Sequence, residues 1–292
     1  MIENQKKENK RIDKELNFSV FSDDYLPRIS QWFISLEGEG QNIGEPSLYI
    51  RLAGCYSAAC KFCDTKFSWY NKKKFPLLND NWESELFNQE KEKIREINRL
   101  TVTGGEPLHY MNTFEEILKK VKTQEFEDVG IKINWLGIES NGNILKDKSN
   151  VFNLIKIFKN IERNYGIKPV LTISPKLDAD SCYNNLINQE TVEKMYDEVF
   201  KNIYEYFPYE VNYKFIWNVS KLENQLTEDY IKGLILLYKV PSKNIFLMPF
   251  TPTDPLGSNI QIWQRSKDKA ARKALELGIR YSPRIHVDRQ LD

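Results

Sequence analysis

No apolar run in this sequence approaches the roughly 18 residues a membrane helix needs, so nothing in it reads as a membrane span. An excess of one charge sign is also missing. Lys and Arg number 42 against 41 Asp and Glu, a net charge of +1, which leaves no global basic field to attract nucleic acid. With 13 Gly and 12 Pro in 292 residues, the chain is neither linker-rich nor of low complexity. Histidine occurs twice, as His109 and His286, and neither takes a catalytic role on sequence grounds. What is present is a hydrophobic share of 41%, enough for a large core, which excludes a wholly disordered chain. The length fits two domains of average size or a single α/β barrel. Residues 1–16 are dense in Lys, Glu and Asn and lack the apolar stretch of a secretory signal. The expectation is a polar tail over 1–26, a catalytic domain over 27–292 and a cytoplasmic location.

Short β-branched or aromatic runs alternate with longer segments of helical period, the pattern of a parallel α/β fold. Strands are predicted over 48–52, 100–103, 133–138, 170–173, 213–217 and 245–248. Helices are predicted over 83–97, 114–121, 152–161, 192–204, 227–238 and 267–277. In the fourth of these, Val192, Met195, Tyr196, Val199 and Ile203 share one face. Six strand–helix units in a row predict a partial (β/α)6-type barrel built as a single domain. In such a fold, functional residues gather at the carboxyl ends of the strands.

Cysteine is scarce, at 4 residues, yet Cys55, Cys60 and Cys63 crowd into one loop after the first predicted strand. Three thiolates there can hold three irons of a cubane and leave a fourth iron open. A zinc site would need a distant fourth ligand from Cys182, His109 or His286. A disulfide is disfavoured in a reducing cytoplasm. The cysteines alone favour an iron–sulfur cluster and leave zinc or structural thiols open; Cys182 reads as a loop thiol.

The segment from Thr101 to Pro107, Thr-Val-Thr-Gly-Gly-Glu-Pro, ends the next predicted strand. Adjacent glycines let a ligand approach the backbone, and Glu106 can accept from an amine. A three-cysteine loop followed after about forty residues by Gly-Gly-Glu-Pro resembles the radical S-adenosylmethionine (SAM) superfamily. That resemblance implies a [4Fe-4S] cluster whose open iron is chelated by the methionine end of SAM. Electron transfer from the cluster then yields a 5′-deoxyadenosyl radical.

More of the chain narrows the likeness. Ser35-Leu-Glu-Gly-Glu-Gly40, Arg51, Cys63-Asp-Thr65, Gly104-Gly-Glu-Pro107, Glu139-Ser-Asn-Gly142 and Thr172-Ile-Ser-Pro-Lys176 follow one another. Phe246-Leu-Met-Pro249 and Arg280-Tyr-Ser-Pro-Arg-Ile-His286 come near the end. From about Ser35 to His286 the chain resembles the 7-carboxy-7-deazaguanine synthase family of the queuosine (7-deazapurine) pathway. The resemblance implies a lyase that contracts 6-carboxy-5,6,7,8-tetrahydropterin to 7-carboxy-7-deazaguanine with loss of ammonia. It implies cluster ligation by Cys55, Cys60 and Cys63. It implies SAM binding by Phe62, Cys63, Asp64, Gly105, Ser174, Pro175, Lys176, Met248 and Pro249. Substrate binding falls to Leu36, Glu37, Gly38, Arg51 and Thr103, and Mg²⁺ binding to Thr65. Taken alone, Thr65 reads as a turn residue and Met248 as core packing. No protein side chain is expected as general base, because the cofactor's radical does the abstraction.

Two positions depart from the family's pattern. The first cysteines are spaced C-x4-C where C-x3-C is common, and Glu37 stands where the family usually has Gln, replacing an amide by an acceptor-only carboxylate when ionised. The expected electron donor is of flavodoxin or ferredoxin type and the expected assembly a homodimer, while the charge balance and the lack of a long apolar run give the expectation of no nucleic-acid or membrane partner. The competing enzyme class is a radical SAM activase that makes a glycyl radical on a partner protein. It would share the cluster motifs without needing Arg51 and the Gly-Glu-Gly loop.

Overall fold

The computed structural model describes residues 26–55, 60–69, 74–92, 96–183, 186–217 and 220–290. The expected tail over 1–26 therefore lies outside the described residues save for Leu26, as do 56–59, which hold the extra residue of the C-x4-C spacing. In chain order the elements are β1 (Ile29–Leu36), β2 (Pro46–Leu52), α1 (Trp82–Glu90), β3 (Ile97–Gly104), α2 (Phe114–Val121), α3 (Gln124–Asp128) and β4 (Ile131–Ser140). There follow α4 (Lys148–Tyr165), β5 (Lys168–Ile173), α5 (Ala179–Tyr183), α6 (Gln189–Tyr206), β6 (Val211–Trp217) and α7 (Lys221–Leu236). The described chain closes with β7 (Ile245–Pro249), α8 (Ile260–Leu277), β8 (Arg280–Tyr281) and α9 (Ile285–Arg289). One sheet carries all eight strands in sequence order. Its first pair is antiparallel and every later pair parallel.

The six expected strand–helix units correspond to β2 to β7 of the seven parallel strands, so the partial-barrel reading holds. Its edges needed correction. The helix expected over 83–97 ends at Glu90, and Ile97 opens β3 instead. Two strands were not foreseen. In β1, Trp32 and Ile34 pack on the core while Gln31 and Phe33 face the other way, a half-buried alternation hidden beside the motif that follows it. At two residues, β8 is too short to show any period.

The sheet has two unlike faces. Leu48, Ile50 and Leu52 of β2, Leu100 and Val102 of β3, Leu136 and Ile138 of β4, and Leu171 and Ile173 of β5 point outward under the helices, fully buried. Opposite them α4 presents Val151, Leu154, Phe158 and Ile161 at helical spacing, and ends where Gly166 turns left-handed at φ 66°. The inward positions of the same strands are polar, and that alternation makes room for a site rather than a second core.

Gly104 and Gly105 end β3 against the turn that leaves β2. The Gly105 amide donates to the Leu52 carbonyl at 2.9 Å and the Glu106 amide to the Gly54 carbonyl at 2.8 Å. A Cβ on Gly105 would lie 2.1 Å from the Gly54 carbonyl oxygen. The glycines thus allow backbone to meet backbone, not only backbone to meet ligand. Gly105→Ala should lower stability by about 1–3 kcal/mol through this overpacking, read from the urea midpoint. An unchanged midpoint would mean the two loops can part at no cost.

Candidate active site

The inward-facing side chains converge on a cavity of about 480 Å³ at the carboxyl ends of the strands. Strand alternation selects them: Tyr49 and Arg51 from β2, Thr103 from β3, Glu139 from β4, Thr172 from β5, Lys214 and Ile216 from β6, and Met248 from β7. The cysteine loop forms one wall and the carboxyl-terminal segment with Arg284 and His286 another. Of the residues singled out in the sequence, Leu36, Gly38, Arg51, Cys55, Cys60, Phe62, Cys63, Asp64, Thr65, Thr103, Gly105, Ser174, Lys176 and Met248 line this cavity. Glu37, Pro175 and Pro249 do not.

The cysteine loop is held from several sides. The Cys55 amide donates to the Trp69 carbonyl at 2.8 Å, the Lys61 amide to the Ser181 carbonyl at 2.8 Å, and the Cys63 amide to the Cys60 carbonyl at 3.0 Å. Among the described residues no three His, Cys, Asp or Glu side chains converge tightly enough for one metal ion. A tetrahedral zinc, with bonds of about 2.3 Å to sulfur, would need that convergence. Cys55, Cys60 and Cys63 line one cavity, and a cubane takes its thiolates on three separate irons. Cys182 is buried on α5 rather than in a loop, and its thiol hydrogen-bonds Cys60. That bond, aided by Lys176, lowers the Cys60 thiol's pKa against the effect of burial.

Beside the cysteines, Lys176 sits with its ammonium 5.9 Å from the Phe62 ring centre and 3.3 Å from Ser174 Oγ. The Thr65 hydroxyl lies 3.6 Å from Cys63 Sγ. Glu106 is turned to the protein. It accepts from Ser140 Oγ at 2.5 Å, the Asn141 amide at 2.8 Å and the Leu108 amide at 3.1 Å. It therefore splices the β3 and β4 ends together at the edge of the cavity it also lines.

Across the cavity, Arg51 rests over the Phe33 ring at 5.8 Å and donates through Nε to Gln31 Oε1 at 3.2 Å. Among the described residues no ion pair engages its terminal nitrogens, and Arg51 is half-buried rather than dry. Glu37 is fixed by Tyr49 Oη at 2.7 Å and Thr101 Oγ1 at 2.5 Å, behind the cavity wall. Burial, with the nearby Glu139 charge, raises its pKa.

A chain of buried charge joins these walls. Lys214 Nζ donates to Glu39 Oε1 and to Glu139 Oε1, each at 2.8 Å. Glu139 Oε2 accepts from Thr103 Oγ1 at 3.3 Å. Arg284 pairs with Asp64 Oδ2, approaches Glu39 Oε2 at 3.3 Å and donates to Thr251 Oγ1 at 2.6 Å. Burial alone would push the Glu39 carboxyl up, but Lys214 and Arg284 hold it well below the usual carboxylate range. Burial alone would lower Lys214, yet Glu139 and Glu39 raise it. Sequence reasoning gave Glu39, Glu139, Lys214, Arg284 and His286 no role. The available signal was a lone lysine inside the buried strand Val-Asn-Tyr-Lys-Phe-Ile-Trp.

Residues 36–164 match the family described as a 4Fe-4S single cluster domain, a span that holds all three loop cysteines. The 7-carboxy-7-deazaguanine synthase of Hyperthermus butylicus is 32% identical over 118 residues, covering 39% of this chain and 43% of that one. The synthase of Pyrobaculum aerophilum is 23% identical over 265 residues, covering 89% of this chain and 93% of that one. Over nearly its whole length the chain is similar to 7-carboxy-7-deazaguanine synthases. It is an enzyme of the radical SAM type. The crystal structure of QueE from Escherichia coli aligns over 88% of this chain and 93% of that one, at 19% identity and a TM-score of 0.45. The architecture stands on the strand order of this chain. Among the described residues no helix is long and apolar enough to cross a membrane.

Lys214→Met tests the charge chain. It leaves Glu139 without its cation and Glu39 with only the Arg284 contact, and should cost about 3–5 kcal/mol at pH 7, read by denaturant unfolding. Glu39, with its folded pKa depressed, contributes stability above its unfolded value of 4.5, and that contribution is lost as pH falls. The gap between wild type and variant should therefore narrow on acidification. A deficit independent of pH would assign the loss to packing instead.

Proposed function

We propose that this protein converts 6-carboxy-5,6,7,8-tetrahydropterin to 7-carboxy-7-deazaguanine with release of ammonia. The observation that carries the reading is that Cys55, Cys60 and Cys63 line the same cavity as Arg51 and Thr103. The three thiols and an arginine whose terminal nitrogens are free of ion pairs among the described residues, candidates for cofactor and anion binding, share one cavity. Cys55, Cys60 and Cys63 would ligate the cluster. Phe62, Asp64, Gly105, Ser174, Lys176 and Met248 surround the space left for SAM, with Pro175 and Pro249 shaping the strand ends behind. When bound, the cluster and SAM supply a 5′-deoxyadenosyl radical as hydrogen abstractor.

The chain's own residues orient the substrate. Arg51, steadied by Gln31 and Phe33, keeps its terminal N–H groups for the pterin carboxylate. Thr103 and Glu139 offer a hydroxyl and a carboxylate to the donor-rich ring edge. Leu36 and Gly38 bracket the ring, and Glu37 supports them through its hydroxyl partners. Thr65 would give Mg²⁺ one hard oxygen, with substrate and water supplying the rest. A flavodoxin- or ferredoxin-like donor would supply the electron, and cytoplasmic location and a homodimer complete the reading.

Anaerobic incubation with SAM, reductant and the carboxypterin should give a product of the mass of 7-carboxy-7-deazaguanine. Alanine at Cys55, Cys60 or Cys63 should abolish the expected loading of about four irons, and Cys182→Ala should not. Stoichiometric zinc with no iron-dependent activity would overturn the cluster assignment.

Arg51→Met removes a charge-assisted contact of about 1.5–3 kcal/mol. It should weaken carboxypterin binding roughly ten- to a hundred-fold, with cluster content and SAM binding near wild type. Equal loss of both ligands would make Arg51 a support of the loop. Thr65→Ala should blunt the response of turnover to Mg²⁺ without loss of cluster, and an unchanged Mg²⁺ dependence would return Thr65 to a turn residue.

A further inference from the structure

The carboxyl-terminal segment is tied into the cavity from both sides. The Ile285 amide donates to the Gly38 carbonyl at 3.0 Å, and the Gly40 amide to Ser282 Oγ at 2.8 Å. His286 packs so closely on Gly38 that a Cβ there would lie 1.9 Å from its Nδ1. Behind, Asp288 accepts from Trp263 Nε1 at 2.7 Å and from Lys267 Nζ at 3.0 Å, which anchors the segment to α8.

Arg284 stands where these ties meet. One nitrogen pairs with Asp64, the residue after Cys63, and another donates to Thr251 at 2.6 Å. The third, Nε, faces Glu39 of the Gly-Glu-Gly loop at 3.3 Å. The two grips differ. The Asp64 contact is a formed hydrogen bond. Arg284 Nε and Glu39 Oε2 attract as charges, but both are buried without a hydrogen-bond partner. That contact is not aligned, so a small shift of either loop can complete it. A planar guanidinium aims separate nitrogens at Asp64, Thr251 and Glu39 in fixed directions, a three-way fork that a single ammonium nitrogen at the same place does not reproduce.

The geometry points to Arg284 as a positioning residue that couples the two halves of the cavity, so that SAM bound beside the cysteine loop tightens the grip of the Gly-Glu-Gly loop on the substrate. It lines the cavity, and its observed ion pairs run to Asp64 and Glu39, through which it acts. This rests on the site being one for SAM and a carboxypterin.

The test uses the full chain, reconstituted anaerobically, with two readouts. Hydrogen exchange at the Gly38 and Gly40 amides is measured with and without SAM. Carboxypterin binding is titrated calorimetrically under the same two conditions. In wild type, SAM should slow exchange at both glycines and tighten carboxypterin binding about tenfold, within the usual range of coupling between sites. In Arg284→Lys both effects should fall below about twofold while SAM itself still binds. Glu39→Gln, which leaves the Arg284–Asp64 pair in place, should do the same, and it carries the comparison if Arg284→Lys does not fold. Exchange at Gly38 and Gly40 that ignores SAM in wild type, or variants that keep the full tightening, would overturn the coupling. Carboxypterin that fails to bind while SAM still slows those amides would sink the substrate assignment and leave the link standing.

Discussion

Lys214 is an ammonium almost without water, 3% exposed, and the interior of this half-barrel is built around the need to satisfy it. A buried cation without partners carries a desolvation cost of several kcal/mol. The two carboxylates that offset it come from different parts of the chain, Glu139 from β4 and Glu39 from the loop after β1. Strand, strand and loop are therefore held at fixed separation by one charge. The consequence is space. Apolar side chains at those inward positions would collapse into a second core, whereas charged and hydroxyl groups tied to one another keep a cavity open above the sheet.

Most of the fold is legible in the sequence for a reason that also limits it. Leu48, Ile50 and Leu52, or Leu136 and Ile138, are buried under helices because their type demands it, and the helices match them with apolar stripes. The intervening residues carry the site, and their meaning depends on what lies across the barrel. Arg51 and Thr103 sit side by side in register, yet they are about fifty residues apart in sequence. Lys214 meets Glu39 across 175 positions. Local period can show that such a residue points inward, but not which partner it faces. Cysteine clustering and the Gly-Gly turn were readable because the chemistry they serve is local. The charged chain was not, since each link joins elements far apart. Strand β8, two residues long, left no period to read.

The turn motifs divide the work between geometry and chemistry. Gly105 and Glu106 look like ligand-binding residues on sequence. In the fold, the glycine lets the β3 and β2 loops touch, and the glutamate gathers three donors from β4 and its own turn. A carboxylate buried at 1% exposure with both oxygens engaged is a structural rivet. Arg51 is the opposite case, half-buried, with one nitrogen engaged by an amide and the rest free of ion pairs among the described residues. Free donors on a rigid strand are what recognition of an anion requires, and spent acceptors are what a scaffold requires.

The site closes with the last elements of the chain. Asp64 lies 220 positions from Arg284, and Gly40 lies 242 positions from Ser282. Contacts of such separation close very long loops, an entropy cost that the sheet packed between their ends offsets. The cysteine loop and the Gly-Glu-Gly loop can each take shape beside β2, but they become one cavity only when the segment carrying Arg284 docks between them. The open ends of the sheet are thus completed from opposite ends of the chain, and an arginine with donors on three sides is the residue type suited to that junction.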